Sequence, residues 1–206
     1  MNTTEIKIKG VINSFDDLYK YAMKQFLGYE KIEGIDNWKE YDFSIDCSQD
    51  QMKFKDMLQI RCIEELTEAT HALDNEDHFY EEITDALNFF LSAYCMLGVD
   101  FNSFESPEQI LKEYTWKIRS PITFNTCSVE FYKIIDDIGY LCNLLKNRPW
   151  AQSNYLVSMF DFNNRLKALW KDFWVMIGHF GLTKEQIFEL FERKYLVNQF
   201  RIKTGY

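Results

Sequence analysis

One segment restricts the fold more than any other part of this sequence. Tyr80 to Leu97 is apolar around most of its helical circumference, which is typical of a helix buried on nearly every side. Because a buried charge without compensation costs several kcal/mol or more, carboxylates in such a helix need partners. The segment therefore predicts a helical bundle with a polar site inside it. The narrow polar strip consists of Glu82, Asp85, Asn88 and Ser92.

The preceding segment, Phe54 to Leu73, predicts a second helix that also carries carboxylates. It contains neither Pro nor Gly, and its apolar residues recur at spacings of three and four. At ~100° per residue, Glu65 lies within the apolar stripe and Glu68 at its edge, whereas Glu64 points away. Glu65 and Glu68 are therefore the candidates for an interior role, and Glu64 is expected to be solvated.

Two pairs of carboxylates, each spaced three residues apart, would face each other across these helices. The connection DNEDHFY is short, so the helices are expected to be antiparallel neighbours. Glu65, Glu68, Glu82 and Asp85 then form an oxygen-only cluster, which suits Mg²⁺ or Mn²⁺ better than Zn²⁺. A single ExxE motif is usually a solvated helix surface. Two pairs on adjacent apolar helices favour a metal site instead.

Helical periodicity dominates the rest of the chain, and we expect one all-α domain over residues 1–206. Residues 1–53 would supply an N-terminal helix and a long loop over 30–53. SPEQI at Ser106 and TKEQI at Thr183 are typical helix starts. Residues 86–114 and 168–195 share an order of aromatic helix, Gly-containing turn and capped helix, which predicts a degenerate internal duplication. The second copy lacks the carboxylate pairs, so one active site per chain is expected.

Composition restricts the partners and the compartment. A net charge of −9 and the lack of a dense Lys/Arg tract argue against nucleic-acid binding. Five cysteines without CxxC spacing predict free thiols in a reducing compartment. Without a signal-peptide pattern or an apolar run of ~18 residues, a cytoplasmic protein with no membrane segment is expected. The aromatic helices look too apolar for one small bundle to cover, which predicts a homodimer.

The C-terminal segment forms a second candidate group. Lys194, Asn198 and Arg201 lie on one helical face, Gly205 offers a terminating turn and Tyr206 ends the sequence. Lys, Arg and a Tyr hydroxyl are good donors to phosphate. The simpler explanation is a solvated basic helix end that favours the helix dipole. For a phosphate-binding role, we expect residues 194–206 to be mobile without ligand and to close over the phosphates.

These motifs resemble those of the all-α nucleoside triphosphate pyrophosphatases, in particular the dimeric dUTPases and the related phage dCTPase/dUTPase enzymes. Glu65 to Glu68 matches the ExxE motif of the family, and Glu82 to Asp85 matches its ExxD motif. KYLVNQFRIKTGY is similar to the closing motif KNxxNxxRQxxGY. The carboxylate motif is shared by MazG-like enzymes, whereas the tail points to the dUTPase branch. The resemblance covers residues 54–206, and an enzyme encoded by a phage would act in the host cytoplasm.

This chain departs from the family pattern at several positions that affect the choice of base. Tyr195 and Ile202 replace an Asn and a Gln of the closing motif. Asn88 stands where many relatives have a His after the ExxD motif. The Gln and Asn that select the base in the N-terminal helix have no clear counterpart, and Gln25 is the best candidate. These departures leave the expected hydrolytic residues intact.

The resemblance implies a fold, a reaction and a role for each candidate residue. The fold is an all-α helical bundle, and Mg²⁺ ions held by Glu65, Glu68, Glu82 and Asp85 would grip the triphosphate and activate a water. Glu68, or Glu65, would orient or deprotonate that water for attack at the α-phosphorus of dUTP, which gives dUMP and pyrophosphate. The alternatives are dCTP, both nucleotides or a modified pyrimidine nucleotide, and a catalytically silent nucleotide-binding or regulatory protein. The expected substrate-binding residues are Lys194, Asn198, Arg201, Tyr206, Asn88 and Gln25.

Overall fold

The computed structural model describes residues 10–34, 44, 47–114, 122–145 and 158–205. Within these ranges the regular elements are helical and none is a strand, which confirms the all-α helical bundle. The helices are α1 (Phe15–Ile32), α2 (Ser48–Lys55), a π-helical turn (Asp56–Cys62), α3 (Ile63–His71), α4 (Glu76–Met96), a 3₁₀ turn (Phe101–Ser103), α5 (Pro107–Tyr114), α6 (Phe124–Leu144), α7 (Met159–His179) and α8 (Lys184–Thr204).

Helix α4 lies at the centre of the bundle and packs against α1, α3 and α8. It begins after Asn75, whose side chain accepts a hydrogen bond from the backbone N–H of His78 and so caps the helix. Phe79, Phe90 and Tyr94 are at most 1% exposed, and apolar side chains on the remaining faces are buried as well. The prediction of a helix buried on nearly every side is confirmed.

The loop expected over residues 30–53 is only partly correct. Helix α1 continues to Ile32, and α2 already begins at Ser48. Helix α2 has the sequence SQDQMKFK, in which Phe54 is the one buried apolar side chain, so it shows no apolar stripe from which a helix could be predicted. Helix α2, the π-helical turn and α3 follow one another without a break and form a single helical run from Ser48 to His71.

The π-helical turn is a correction to the regular helix expected over residues 54–73. A π-helical turn accommodates an extra residue per turn and is frequent at functional sites. Leu58 and Cys62 within it are fully buried against the core. Met57 and Arg61 of the turn line the same cavity as Glu65, which follows on α3. The turn therefore changes which side chains upstream of α3 reach the site.

The helix ends follow the capping patterns in the sequence. Thr183 and Gln186 form a reciprocal capping box at the start of α8, and α5 starts at Pro107 as expected. Gly205 follows the last residue of α8 with φ of 67°, a left-handed conformation that ends a helix readily only with Gly. The prediction of a terminating turn at Gly205 is confirmed.

The second layer of the bundle contains α5, α6 and α7, and α7 packs against both of the others. Trp170, Phe173 and Trp174 of α7 are fully buried, so both tryptophans belong to the core. All five cysteines are free thiols, as expected. In the described ranges, no helix combines the length and apolar character that a bilayer crossing requires.

The helix arrangement does not establish the predicted internal duplication or the predicted homodimer. The segments α4–α5 and α7–α8 both contain a Gly turn, with φ of 62° at Gly98 and 79° at Gly181, but α5 has 8 residues and α8 has 21. The internal duplication therefore stays a prediction. The aromatic faces of α4 and α7 are covered within the single chain, so they give no reason for a dimer.

Candidate active site

A cavity of about 910 Å³ opens between α1, the run from α2 to α3, α4 and α8. It brings together residues predicted separately from the carboxylate motifs and from the C-terminal motif. Tyr206 lies outside the described residues, so its predicted role is not tested. The predicted residues that line the cavity are Gln25, Glu65, Glu68, Glu82, Asp85, Asn88, Lys194, Asn198 and Arg201.

Three carboxylates from α3 and α4 form a compact cluster on one wall. Glu65, Glu82 and Asp85 each offer an oxygen atom, and these oxygens lie within 4.8 Å of one another. Glu82 is 9% exposed, and the Asp85 side chain is 14% exposed. Glu64 is exposed and faces away from this cluster, as predicted. The arrangement is an oxygen-only group that could hold a hard divalent cation.

Glu68, the fourth predicted ligand, lies at the edge of this cluster. It lines the same cavity and its charge acts on Glu65, but its carboxylate is not among the three close oxygens. Its residue is exposed to solvent. A carboxylate in this position can contact a water inside the cavity more easily than a buried one, because it keeps its hydration. The metal-ligand role predicted for Glu68 stays a prediction.

Crowding of the carboxylates changes the protonation of Glu65. Burial, followed by the charge of Asp85 and a hydrogen bond with Glu82, raises the pKa of Glu65 to about 8. At neutral pH the Glu65 carboxyl therefore holds a proton when no cation is bound. This agrees with the expectation that four close carboxylates without a metal include at least one with a raised pKa.

Basic side chains accompany the other two carboxylates. Lys194 of α8 donates a short hydrogen bond to Asp85 Oδ2. The second oxygen, Asp85 Oδ1, is buried and has no hydrogen-bond partner among the described residues. His78 Nε2 lies 2.6 Å from Glu82 Oε1, one turn earlier on α4. Burial raises the pKa of Asp85, although the hydrogen bond and charge of Lys194 oppose this effect.

Two amide side chains form the opposite, less charged end of the site. Gln25 Nε2 of α1 donates to Asn88 Oδ1 of α4 at 3.2 Å, and both residues are buried. Asn88 Nδ2 in turn donates to the backbone oxygen of Thr84 at 3.1 Å. Gln25 Oε1 is buried and has no partner within the part of the chain that the structure describes, so it is an acceptor that a ligand could satisfy. Phe26 and Phe89 line the cavity beside this pair.

Several cavity residues were missed from the sequence, and some had a detectable signal. His78 lies four residues before Glu82 and Tyr29 four residues after Gln25, spacings that place each pair on one helical face. Burial raises the pKa of Tyr29, while the neighbouring charges of Arg201 and Lys194 lower it. These spacings could have predicted the contact of His78 with Glu82 and the position of Tyr29 in the cavity lining.

Lys53 was missed because its segment was assigned to a loop. Its Nζ contacts Glu30 Oε2 at 2.5 Å and Glu33 Oε2 at 2.8 Å, and all three residues line the cavity. Glu30 is 1% exposed, and burial raises its pKa despite the hydrogen bond and charge of Lys53. No pattern in the sequence pairs α1 with α2 in this way.

Comparisons of the chain with protein-family models, with curated proteins and with solved structures gave no match. A functional assignment must therefore start from the side chains in the cavity, because no relative supplies one.

Proposed function

We propose that this protein is a Mg²⁺-dependent nucleoside triphosphate diphosphatase that hydrolyses dUTP to dUMP and pyrophosphate. The observation that carries the proposal is one cavity with three close carboxylates on α3 and α4 and three candidate phosphate or sugar ligands, Lys194, Asn198 and Arg201, on α8. Such a site combines metal ligands with phosphate donors, which is the chemistry that a triphosphate requires. The resemblance of the motifs supports the same reaction.

The residues present fit a hard divalent cation. The donors are oxygens, Asp85 Oδ1 is buried without a partner, and the carboxyl of Glu65 has a raised pKa that a cation would lower. Glu65, Glu82 and Asp85 would hold Mg²⁺, or Mn²⁺ in its place. When bound, the cation neutralises phosphate charge and lowers the pKa of a coordinated water.

The remaining residues would position the substrate and move the proton. Lys194 and Arg201 bind the phosphate oxygens, and Asn198, which is 5% exposed, binds the sugar or a phosphate oxygen. Glu68 accepts a proton from water as the water oxygen attacks the α-phosphorus. The bond from the α-phosphorus to the bridging oxygen breaks, and pyrophosphate leaves. Glu68 is exposed to solvent and lines the cavity, so a water molecule can reach it for this step.

The amide pair would contact the base. Gln25 Oε1 can accept a hydrogen bond from N3–H of uracil, and Phe26 and Phe89 offer apolar surface beside it. An amide can also turn to present its N–H₂ group, which would suit N3 and O2 of cytosine. For this reason dCTP, both nucleotides or a modified pyrimidine nucleotide is the alternative substrate.

A panel of deoxynucleoside triphosphates, assayed for pyrophosphate release with Mg²⁺, tests the proposal. We expect dUTP to be the best substrate and release to stop when a chelator is added. Faster turnover of dCTP would support the alternative substrate. If no nucleotide is hydrolysed although one binds, the protein is a silent nucleotide-binding or regulatory protein on this scaffold.

Homodimer formation is also part of this proposal, on grounds other than the aromatic helices. Exposed apolar side chains remain on α6, where Tyr132 is 72% exposed, and on α8, where Phe200 is 67% exposed. Val129 of α6 and Leu196 of α8 are exposed beside them. Either patch offers apolar surface that a second copy of the chain could cover.

A further inference from the structure

Each of the three close carboxylates has a different polar neighbour. Asp85 has the ammonium of Lys194, Glu82 has the imidazole of His78 at 2.6 Å, and Glu65 shares a hydrogen bond with Glu82. Of these neighbours, Lys194 brings an ammonium group to the cluster. It contacts Asp85 from α8, which is far from α4 in the sequence but packs against it.

We propose that Lys194 is the counter-cation of the metal-free site, so that Lys194 and a divalent cation exclude each other at Asp85. The inference rests on the proposed metal site and adds the order of events there: the cation binds first, and Lys194 contacts the phosphates afterwards. Binding of the cation releases the ammonium from Asp85, and the released ammonium then becomes available to the phosphates of the nucleotide. Lys194 would thus serve two anions in turn rather than bind phosphate throughout.

The contact between Lys194 and Asp85 lies where a bound divalent cation would be close to the ammonium, and this is why the two cations exclude each other. Lys194 donates to Oδ2 of a carboxylate whose other oxygen, Oδ1, is buried and accepts no hydrogen bond from any residue that the structure describes. A divalent cation that reaches the cluster of Glu65, Glu82 and Asp85 would lie within a few ångströms of the ammonium. At an effective dielectric constant of about 20, like charges at this distance repel strongly. Both cations cannot keep Asp85 as a close partner.

The side chain of Lys194 can leave Asp85 without movement of its helix. Tyr195 and Asn198 on either side of the same turn are 6% and 5% exposed, which fixes the backbone of α8. The Lys194 side chain itself is 29% exposed, so part of it already reaches solvent. The charges of Glu82 and Arg201 also act on Asp85. A rotation of the flexible lysine stem is sufficient.

Displacement of Lys194 from Asp85 couples binding of the cation to binding of the nucleotide. If the cation must displace Lys194, its affinity without nucleotide is lower than the carboxylates alone would give. A nucleotide offers the displaced ammonium a new partner and so raises the affinity for the cation beyond direct coordination by phosphate. By reciprocity the cation raises the affinity for the nucleotide to the same extent.

The test compares Mn²⁺ binding, measured by calorimetry and by electron paramagnetic resonance at pH 8.5 without nucleotide, in wild-type protein and three variants. Lys194→Met removes the ammonium but keeps an unbranched stem, and Lys194→Arg keeps a positive charge. The matched control is Arg193→Met, because Arg193 precedes Lys194, is half-exposed and contacts Glu81 at 3.5 Å outside the cavity. Lys194→Gln replaces Lys194→Met if the latter does not fold, as judged by circular dichroism.

We expect Lys194→Met to bind Mn²⁺ about tenfold more tightly than wild type, with wild-type affinity for Lys194→Arg and Arg193→Met. Equal or weaker binding by Lys194→Met, or by Lys194→Gln where it takes its place, overturns the inference, as does a lack of binding in every protein. The proposed function fails separately, if wild type and Arg193→Met bind Mn²⁺ but hydrolyse no nucleotide. Tighter binding by Lys194→Met in that case would still support the exclusion.

Discussion

Glu64 and Glu65 are adjacent on α3 but have opposite surroundings. The Glu64 side chain is 52% exposed and lies 3.6 Å from Arg61, whereas Glu65 lies in the carboxylate cluster. We expect Glu65→Gln to lower turnover about 100-fold or more, because one charged ligand is lost, while Glu64→Gln stays near wild type. Pyrophosphate release with saturating Mg²⁺ is the measurement. Similar activities in the two variants would contradict the assignment of Glu65 to the site.

Comparison of Glu64→Gln with Glu65→Gln also distinguishes a catalytic role of Glu65 from a structural one. Near neutral pH the metal-free protein already holds a proton on Glu65, so Glu65→Gln replaces one neutral group with another and should leave the melting temperature unchanged. Above pH 8, where Glu65 ionises, the substitution relieves repulsion and should raise the melting temperature. If Glu65 stabilised the fold through an ion pair, its loss would instead lower the melting temperature. Thermal unfolding in a chelator distinguishes the two outcomes, with Glu64→Gln as reference.

The raised pKa of Glu65 also predicts how stability depends on pH. Its folded pKa is about 8 and its ordinary value is 4.5, so between these values the folded state binds a proton that the unfolded chain has lost. Stability of the metal-free protein should therefore fall as pH rises through this window. Asp137, whose pKa burial and Asp172 raise to about 6, has an effect of the same sign at lower pH.

The measurement is thermal unfolding in a chelator at pH 6.5 and pH 8.5, where the comparison with Glu65→Gln cancels the remaining titration of Asp137 that both proteins share. Wild type should lose stability between these values, and Glu65→Gln should lose less. Saturating Mg²⁺ should reduce the loss in wild type, because the cation takes the place of the proton. Equal slopes for wild type and Glu65→Gln in the chelator would show that Glu65 is already ionised at pH 6.5.

Helix α8 combines a buried half with an exposed end. Tyr195 and Asn198 are buried, so a deletion of residues 194–206 would damage the core as well as the site. Deletion of residues 201–206 is cleaner, since it removes Arg201 and Tyr206 but few buried atoms. We expect turnover to fall about 100-fold or more and the melting temperature to change little. Lys203→Gln, on the exposed face of the same turn, is the control.

Retained turnover in the shortened protein would mean that the match of the C-terminal motif is accidental. The expectation that residues 194–206 move as one unit also needs revision. Ile202 packs near Gly28 of α1, where an added Cβ would lie 2.8 Å from Ile202 Cδ1. The segment that could open without ligand therefore begins after Ile202, since α8 is packed against α1 at this residue.

Elements with a strong apolar pattern were predictable from the sequence, and those without one were not. Helix α4 and the carboxylate pairs follow from the spacing of Glu82 and Asp85 on an apolar helix. The π-helical turn could not be predicted, because over seven residues its apolar spacing does not differ from that of an α-helix. The partners of Lys53 and Lys194 depend on how helices distant in sequence pack, which no local pattern contains.

For the whole molecule, a homodimer would bury exposed apolar side chains on α6 or α8. Light scattering of the wild type at micromolar concentration should give twice the mass of one chain. Tyr132→Glu should produce a monomer if α6 forms the interface, and Phe200→Glu should do so if α8 forms it, because each places a charge in an apolar contact. A wild-type monomer at this concentration contradicts the proposal.

One contact far from the chemistry ties the two ends of the described chain together. Glu192 is 5% exposed, and its Oε2 accepts hydrogen bonds from the backbone N–H groups of Val11 at 2.9 Å and Ile12 at 3.4 Å. Gln25 lies on α1 and Lys194 lies on α8. The hydrogen bonds of this single carboxylate therefore fix the position of α8 relative to α1, and with it the spacing of Gln25 and Lys194 in the cavity. The amide hydrogens of Val11 and Ile12 should therefore exchange with deuterium only when α8 detaches, and their exchange rates report docking of α8 without any probe in the cavity.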